Sequence, residues 1–217
     1  LYEDNHIIVA LKPVGILSQE DYTKDPDMLS LIKEYLKEKY KKEGNVYLGL
    51  VMRLDRMTSG VMVFAKNSFA ASKLNGNMNK VYNAIVWGTP EAKGTIDAPI
   101  YRPDMGLTLR TVDPRGDYAI THWKTIEQLE DKAFVEVKTE TGRTHQIRVH
   151  FDYIGHPLVG DELYDSPETE FLNHAALHCR QITITHPITL EEMTFVASLP
   201  EDMKKELEKS GFSVDKQ

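Results

Sequence analysis

Apolar positions along this chain recur with two periods, and the changes between them mark its elements. His6 to Leu11 (H-I-I-V-A-L) is a short apolar run closed by Lys12-Pro13 and Gly15, which predicts a strand ending in a turn. From Asp27 to Lys42 the apolar spacing becomes helical. Leu29, Ile32 and Leu36 form a stripe, Asp27 is placed to cap the start, and lysines crowd the last turn before Gly44. Strands are expected at Val61 to Ala65 and Lys80 to Trp87, with a short helix from Ser68 to Leu74 between them. Ile120 to Leu129, Ala133 to Thr139, Gln181 to Thr185 and Met193 to Ala197 are further strand candidates. The segment 144–155 reads as a helix capped by Thr144, with Ile147, Phe151 and Ile154 as its apolar stripe and Gly155 and Pro157 ending it. His145, Arg148 and Asp152 fall at i, i+3 and i+7 and are expected to share its polar face. Many strands, few helices and no regular βαβ alternation predict an α+β fold. With no repeat and no Pro/Gly-rich linker, residues 1–217 read as one domain.

Composition narrows the class. A chain of 217 residues, 41% apolar and 27% charged, can bury one core and still form a cleft. No apolar run approaches the roughly 18 residues a membrane helix needs, so no membrane partner is expected. One cysteine, Cys179, excludes an internal disulfide framework and a cysteine-rich zinc site, and it fits a cytoplasmic protein. The opening Leu1 to His6 has neither the basic nor the apolar region of a signal peptide and no initiator Met, and it reads as a trimmed start. The net charge of −7 argues against gripping nucleic acid with the whole surface. Yet all eight arginines lie between Arg53 and Arg180, and arginine suits phosphate and base stacking. A local binding face and a mixed solvated surface both fit that distribution.

Three segments carry candidate chemistry. They are Arg53-Leu54-Asp55-Arg56-Met57-Thr58-Ser59-Gly60, Lys80-Val81-Tyr82-Asn83-Ala84, and Thr141 to His150 (T-G-R-T-H-Q-I-R-V-H). Asp55 sits between two arginines, and neighbouring positive charge keeps a carboxylate ionised, as a nucleophile or electrostatic stabiliser requires. Tyr82 lies in a strand with apolar neighbours on both faces, so its phenol is expected near the interior. Arg143 and Arg148 place two guanidiniums near a helix N-terminus, a location suited to anions. Physics alone reaches an anion-binding cleft with one candidate carboxylate.

The order and wording of these segments resemble the RluA-type RNA pseudouridine synthases, whose motifs are R-L-D-x-x-T-S-G, K-x-Y-x-A, and G-R-T-H-Q-I-R-V-H followed by G-H-P-L-V-G-D, here Gly155 to Asp161. The K-P-x-G within Ile7 to Gly15 and A-L-H at Ala176 to His178 extend the likeness over positions 3 to 199. The resemblance implies a bent, mostly antiparallel mixed sheet with flanking helices and a central active-site cleft. It implies a chain that isomerises uridine to pseudouridine in ribosomal or transfer RNA, as a catalytic domain without the extra N-terminal RNA-binding domain of many relatives. Asp55 matches the essential aspartate, Tyr82 the tyrosine against the target base, and Arg148 the arginine that pairs with the aspartate. Arg53 resembles the residue that fills the gap left by a flipped base. Lys80 and Arg143, with Arg56 and His145, are expected supports or RNA contacts. No metal, redox group or other cofactor is implied, and a monomer is expected.

The chain departs from the family pattern in two places. Met52 stands where histidine usually precedes R-L-D, and the link from Asn67 to Lys80 is several residues short. Two rival readings compete. Eight histidines suggest a zinc hydrolase or deaminase, but His145 and His150 fall on different helix faces, and neither C-x-x-C nor H-E-x-x-H is present. The stronger rival is an RNA-binding module that keeps the fold and has lost turnover. Intact Asp55, Tyr82 and Arg148 argue against it.

Overall fold

The alternating and continuous apolar runs form strands, and the i, i+4 stripes form helices. The computed structural model describes residues 1–103, 108–164 and 166–212. In chain order the elements are β1 (Tyr2–Glu3), β2 (Ile7–Lys12), α1 (Met28–Lys39), β3 (Gly49–Leu50), β4 (Ser59–Ala65) and α2 (Ser68–Leu74). There follow β5 (Met78–Trp87), β6 (Lys93–Asp97), β7 (Ile100–Tyr101), β8 (Thr111–Val112), β9 (Ile120–Gln128) and β10 (Lys132–Thr139). The chain continues with α3 (Gln146–Tyr153), a 3-10 turn (Glu162–Tyr164), β11 (Leu177–Thr185), β12 (Glu192–Val196) and α4 (Glu201–Lys209). The protein is α+β, as the strand-rich pattern predicts, and mostly antiparallel, as the resemblance implies. Among the described residues no helix is long and apolar enough to cross a membrane.

Two compact units divide the chain, one holding residues 1–80 and 179–198, the other 81–178 and 199–217. In the first, the strands run β1-β2-β4-β11-β12, and β3 also pairs with β4. Every residue of β4 is buried, which explains its unbroken apolar sequence. Gly60 stands at φ +133°, and a Cβ there would collide with the backbone of Cys179 in β11. Glycine is required where these strands approach. Helix α1 buries Met28, Ile32 and Leu36, and Asp27 caps it by accepting from Ser30 N at 2.9 Å. It ends at Lys39, short of the expected Lys42, because Lys41 turns to φ 48° and Lys42 N donates back to Lys37 O. Glu3 secures that end. Burial alone would push its carboxyl up, but Lys39, Tyr40, Lys66 and Tyr35 all donate to it and hold it down at about 2. The short link before β5 is a tight turn in which Asn77 N donates to Leu74 O, with Gly76 at φ 76°.

In the second unit β5-β10-β9-β6 form an antiparallel run. Ile85 and Phe134 pack with Val159, Ala176 and the α4 residues Met203 and Leu207, each side chain larger than alanine contributing about 1.5–3 kcal/mol by leaving water. Helix α4 docks through a buried ion pair, Lys132 Nζ to Glu206 Oε1 at 2.5 Å. Helix α3 starts at Gln146, so Thr144 is not its cap, contrary to the expectation. His145 takes the capping position in the left-handed conformation and gives no side-chain cap bond. The expected shared face holds only in part, since His145, just before the helix, and buried Arg148 both meet Tyr164 while Asp152 is exposed.

Candidate active site

The candidate residues divide between the units, with Arg53, Asp55, Arg56 and Lys80 in the first and Tyr82, Arg143, His145 and Arg148 in the second. Asp55 lies in the loop between β3 and β4. Val51, Met52 and Leu54 point inward there, Arg53 and Arg56 are exposed, and Asp55 is half-buried. Burial of alternate side chains anchors the loop, and residues 12–18 clamp its backbone. Ser18 Oγ donates to Leu54 O at 2.7 Å and accepts from Leu54 N at 3.0 Å. Gly15 N and Lys12 Nζ both donate to Arg56 O, at 2.9 and 2.8 Å. Thr58 N closes a turn onto Asp55 O at 2.9 Å. The residues flanking Asp55 are therefore fixed on both sides.

Lys12 is wholly buried, and it also donates to Pro13 O at 3.0 Å. Burial drives its ammonium down to about 8. The charge of Asp55 counteracts that shift, and Arg56 adds to it. Arg56 is partly committed to protein contacts, with an ion pair to Asp25 at 2.8 Å and an Nε bond to Gly15 O at 3.1 Å. Met52, where histidine was expected, accepts Val63 N through its sulfur at 3.5 Å. Lys80 is half-buried, and desolvation lowers its pKa.

In the second unit Tyr82 is buried on β5, opposite Val137 of β10. The loop before α3 folds around Gln146, whose Oε1 accepts from Thr141 Oγ1 at 2.7 Å and Arg143 N at 3.0 Å. Its Nε2 donates to Ile120 O at 2.9 Å and Thr121 Oγ1 at 3.0 Å. Thr121 Oγ1 meets His150 Nδ1 at 2.9 Å, and His150 Nε2 meets Ala98 O at 2.8 Å. A carbonyl only accepts, so Nε2 carries the proton and Nδ1 takes the threonine hydroxyl. Burial lowers the pKa of His150 and keeps it neutral. With both nitrogens engaged, His150 is part of the scaffold.

Arg148 meets Asp161 in a bidentate pair, Nε to Oδ2 and Nη2 to Oδ1, both at 2.7 Å, and the two side chains are 9% and 2% exposed. Its guanidinium also lies over the ring of Tyr164, which His145 reaches at 3.1 Å. The fold thus brings His145 and Arg148 onto one tyrosine. Arg143 stays at the surface, its Nε donating to Tyr118 O at 2.9 Å and its Nη1 4.0 Å from Asp117. Sequence reasoning gave no role to Lys12, Ser18, Asp161 or Tyr164. Lys12 and Asp161 lie in segments already singled out, and the burial of a charged side chain was the missing signal.

The model for the family described as RNA pseudouridylate synthase matches residues 6–153. The Bacillus subtilis protein named "Uncharacterized RNA pseudouridine synthase YjbO" is 40% identical over 213 residues, covering 94% of this chain and 74% of its own length. The Vibrio cholerae "Ribosomal large subunit pseudouridine synthase D" is 37% identical over 225 residues, covering 94% of this chain and 68% of itself. Among solved structures, "Human RNA Pseudouridylate Synthase Domain Containing 4" superposes with a TM-score of 0.80 at 25% identity, covering 99% of this chain and 93% of that one. With the motif loops held in this geometry and likeness extending along nearly the whole sequence, the chain belongs to the RNA pseudouridylate synthase family, as an RluA-type RNA-modifying isomerase.

Proposed function

We propose that this chain, acting as one catalytic domain over residues 1–217, converts specific uridines in structured ribosomal or transfer RNA to pseudouridine, with Asp55 as the reacting carboxylate. The observation that carries the reading is the clamp of Lys12, Gly15 and Ser18 on the residues flanking Asp55. A group that must meet a sugar carbon in line has to be held within a fraction of an ångström, and a pinned backbone supplies that. The Vibrio cholerae relative's name, which specifies the large ribosomal subunit, supports ribosomal RNA as the substrate class.

The target base is stacked in folded RNA and must first be extruded, at a cost of a few kcal/mol. Asp55 then attacks the ribose or assists loss of the uracil anion, so that the N1–C1′ bond breaks. The detached base turns within the site, and C5 bonds to C1′ as the Asp55–ribose ester bond breaks or, after elimination, as C2′ regains its proton. C5 gives up its proton and N1 regains one, so atoms and electrons balance without an oxidant or cofactor. Arg148 serves as a further catalytic group, and Tyr82 stacks on the base or moves the C5 proton. Arg53, Arg56, Lys80, Arg143 and His145 contact RNA or support it. The reading takes the protein as a cytoplasmic monomer.

The test is pseudouridine formation on total ribosomal and transfer RNA from cells lacking the gene, by wild type and Asp55→Asn. Wild type should restore pseudouridine at defined positions, and Asp55→Asn should restore none while still binding RNA and melting normally. Turnover by Asp55→Asn comparable to wild type rejects Asp55. Binding without turnover by wild type favours the non-catalytic module.

A further inference from the structure

Three groups of the second unit converge on one phenol. Tyr164 ends the 3-10 turn and is 4% exposed, packed with Ile100, Ala119 and Val149. Its ring centre lies 5.2 Å from the Arg148 guanidinium carbon. Its hydroxyl accepts Arg110 N at 3.1 Å and is 3.1 Å from His145 Nδ1, the two rings meeting edge to face at 5.9 Å.

We propose that Tyr164 is a positioning residue for the isomerase reaction, its ring holding the guanidinium plane of Arg148 and its hydroxyl holding the imidazole of His145. The proposal rests on the reading of Arg148 and His145 as site groups. Asp161 grips one edge of the guanidinium, through Nε and Nη2. In-plane hydrogen bonds to an edge restrain tilting of a planar guanidinium less than contact with its face does. An aromatic face against the cation opposes the tilt and adds attraction to the ring quadrupole. The phenol oxygen accepts an amide proton from Arg110 and shares a hydrogen bond with Nδ1 of His145, so the imidazole is held at that nitrogen. The backbone of His145, at φ 56° and ψ 18°, is a conformation that non-glycine residues seldom adopt without support. The bond to Tyr164 helps to hold it.

Two substitutions separate ring from hydroxyl, assayed in the full chain on total RNA from a strain lacking the gene. Tyr164→Phe keeps the ring, so kcat should stay within about twofold while KM for RNA rises about fivefold, the scale of one hydrogen bond. Tyr164→Leu removes the ring as well and should lower kcat by about tenfold, the scale of a desolvated cation–π contact. In ¹⁵N-histidine spectra the Nδ1 signal of His145 should move in Tyr164→Phe, a change that general loosening of the fold would not confine to one ring. An unchanged KM and Nδ1 signal in Tyr164→Phe overturns the proposal, as does a kcat loss in Tyr164→Phe equal to that in Tyr164→Leu. Should Tyr164→Leu fail to fold, KM and the Nδ1 signal of Tyr164→Phe decide alone. Wild-type turnover by Arg148→Ala and His145→Ala would instead sink the underlying reading. Impaired turnover in those two with normal Tyr164 variants would sink only the positioning role.

Discussion

Lys12 heads the largest fully buried side chains, and its charge makes stability depend on pH in a definite direction. Its ammonium ordinarily titrates at 10.5 and is pushed down to about 8 in the folded chain. Below pH 8 both states carry the proton, and the folded state bears the whole burial penalty. Between 8 and 10.5 the folded state releases its proton first, so stability rises with pH across that window. The advantage of wild type over Lys12→Met should therefore grow by about 3 kcal/mol from pH 7 to 10.5. Urea titrations of both proteins at several pH values measure it, and a constant difference would refute it. Arg148 gives a second prediction at this scale. Its removal strands Asp161, which is almost fully buried, so Arg148→Ala should cost about 3–5 kcal/mol and most of the activity. Arg115 pairs with Asp113 with its own side chain 69% exposed, and Arg115→Ala should change neither. Equal losses in the two variants would refute the assignment.

The segment before α3 shows how an element is placed by one side chain. Gln146 makes four hydrogen bonds, to Thr141, Arg143, Ile120 and Thr121, which join the loop to β9. Gln146→Leu keeps the volume and leaves those groups unpaired, so it should destabilise by about 2–4 kcal/mol. The loss should exceed that of Thr144→Ala, because Thr144 does not cap the helix. Denaturant midpoints compare the two variants, and a larger effect at Thr144 would restore the cap expected from the sequence. Strand β4 has the complementary constraint. A methyl group at Gly60 meets backbone atoms of Cys179, which cannot move as a flexible side-chain tip could. Gly60→Ala should therefore lower the melting temperature and the yield of folded protein.

For the molecule as a whole, a net charge of −7 means that RNA must be held by local cations, not by overall attraction. The salt dependence of binding counts only the phosphates those cations neutralise. Arg143→Ala should weaken binding and flatten the slope of log affinity against log salt by about one unit. Lys204, paired with Glu201 in α4, should have no effect when replaced by alanine. Affinity for a total ribosomal RNA preparation across low to moderate salt distinguishes the two. A Lys204 effect as large as that of Arg143 would show that the binding face is misplaced.

The sequence by itself determined the α+β class, the span of α2 and, to within a residue or two, strands β2, β4, β5, β9, β10 and β12, because apolar periodicity reports which faces leave water. The motif segments were legible for the same local reason, since their residue types occur in one order at fixed spacing. Helix α4 was not read, because only Met203 and Leu207 give it a stripe and its third buried residue is Glu206, held by Lys132 more than seventy positions away. Strand β6 was likewise missed, with a single buried side chain, Ile96, in a polar run. Only the tertiary structure decided which charged groups are buried and what each one meets. Spacing could not indicate that Lys12 lies beneath the Asp55 loop, that Asp161 takes both edge donors of Arg148, or that Tyr164 lies against Arg148 and reaches His145. Periodicity records the exposure of neighbours along the chain. A buried ion pair or a buried phenol is stabilised by partners that only folding brings within hydrogen-bonding distance.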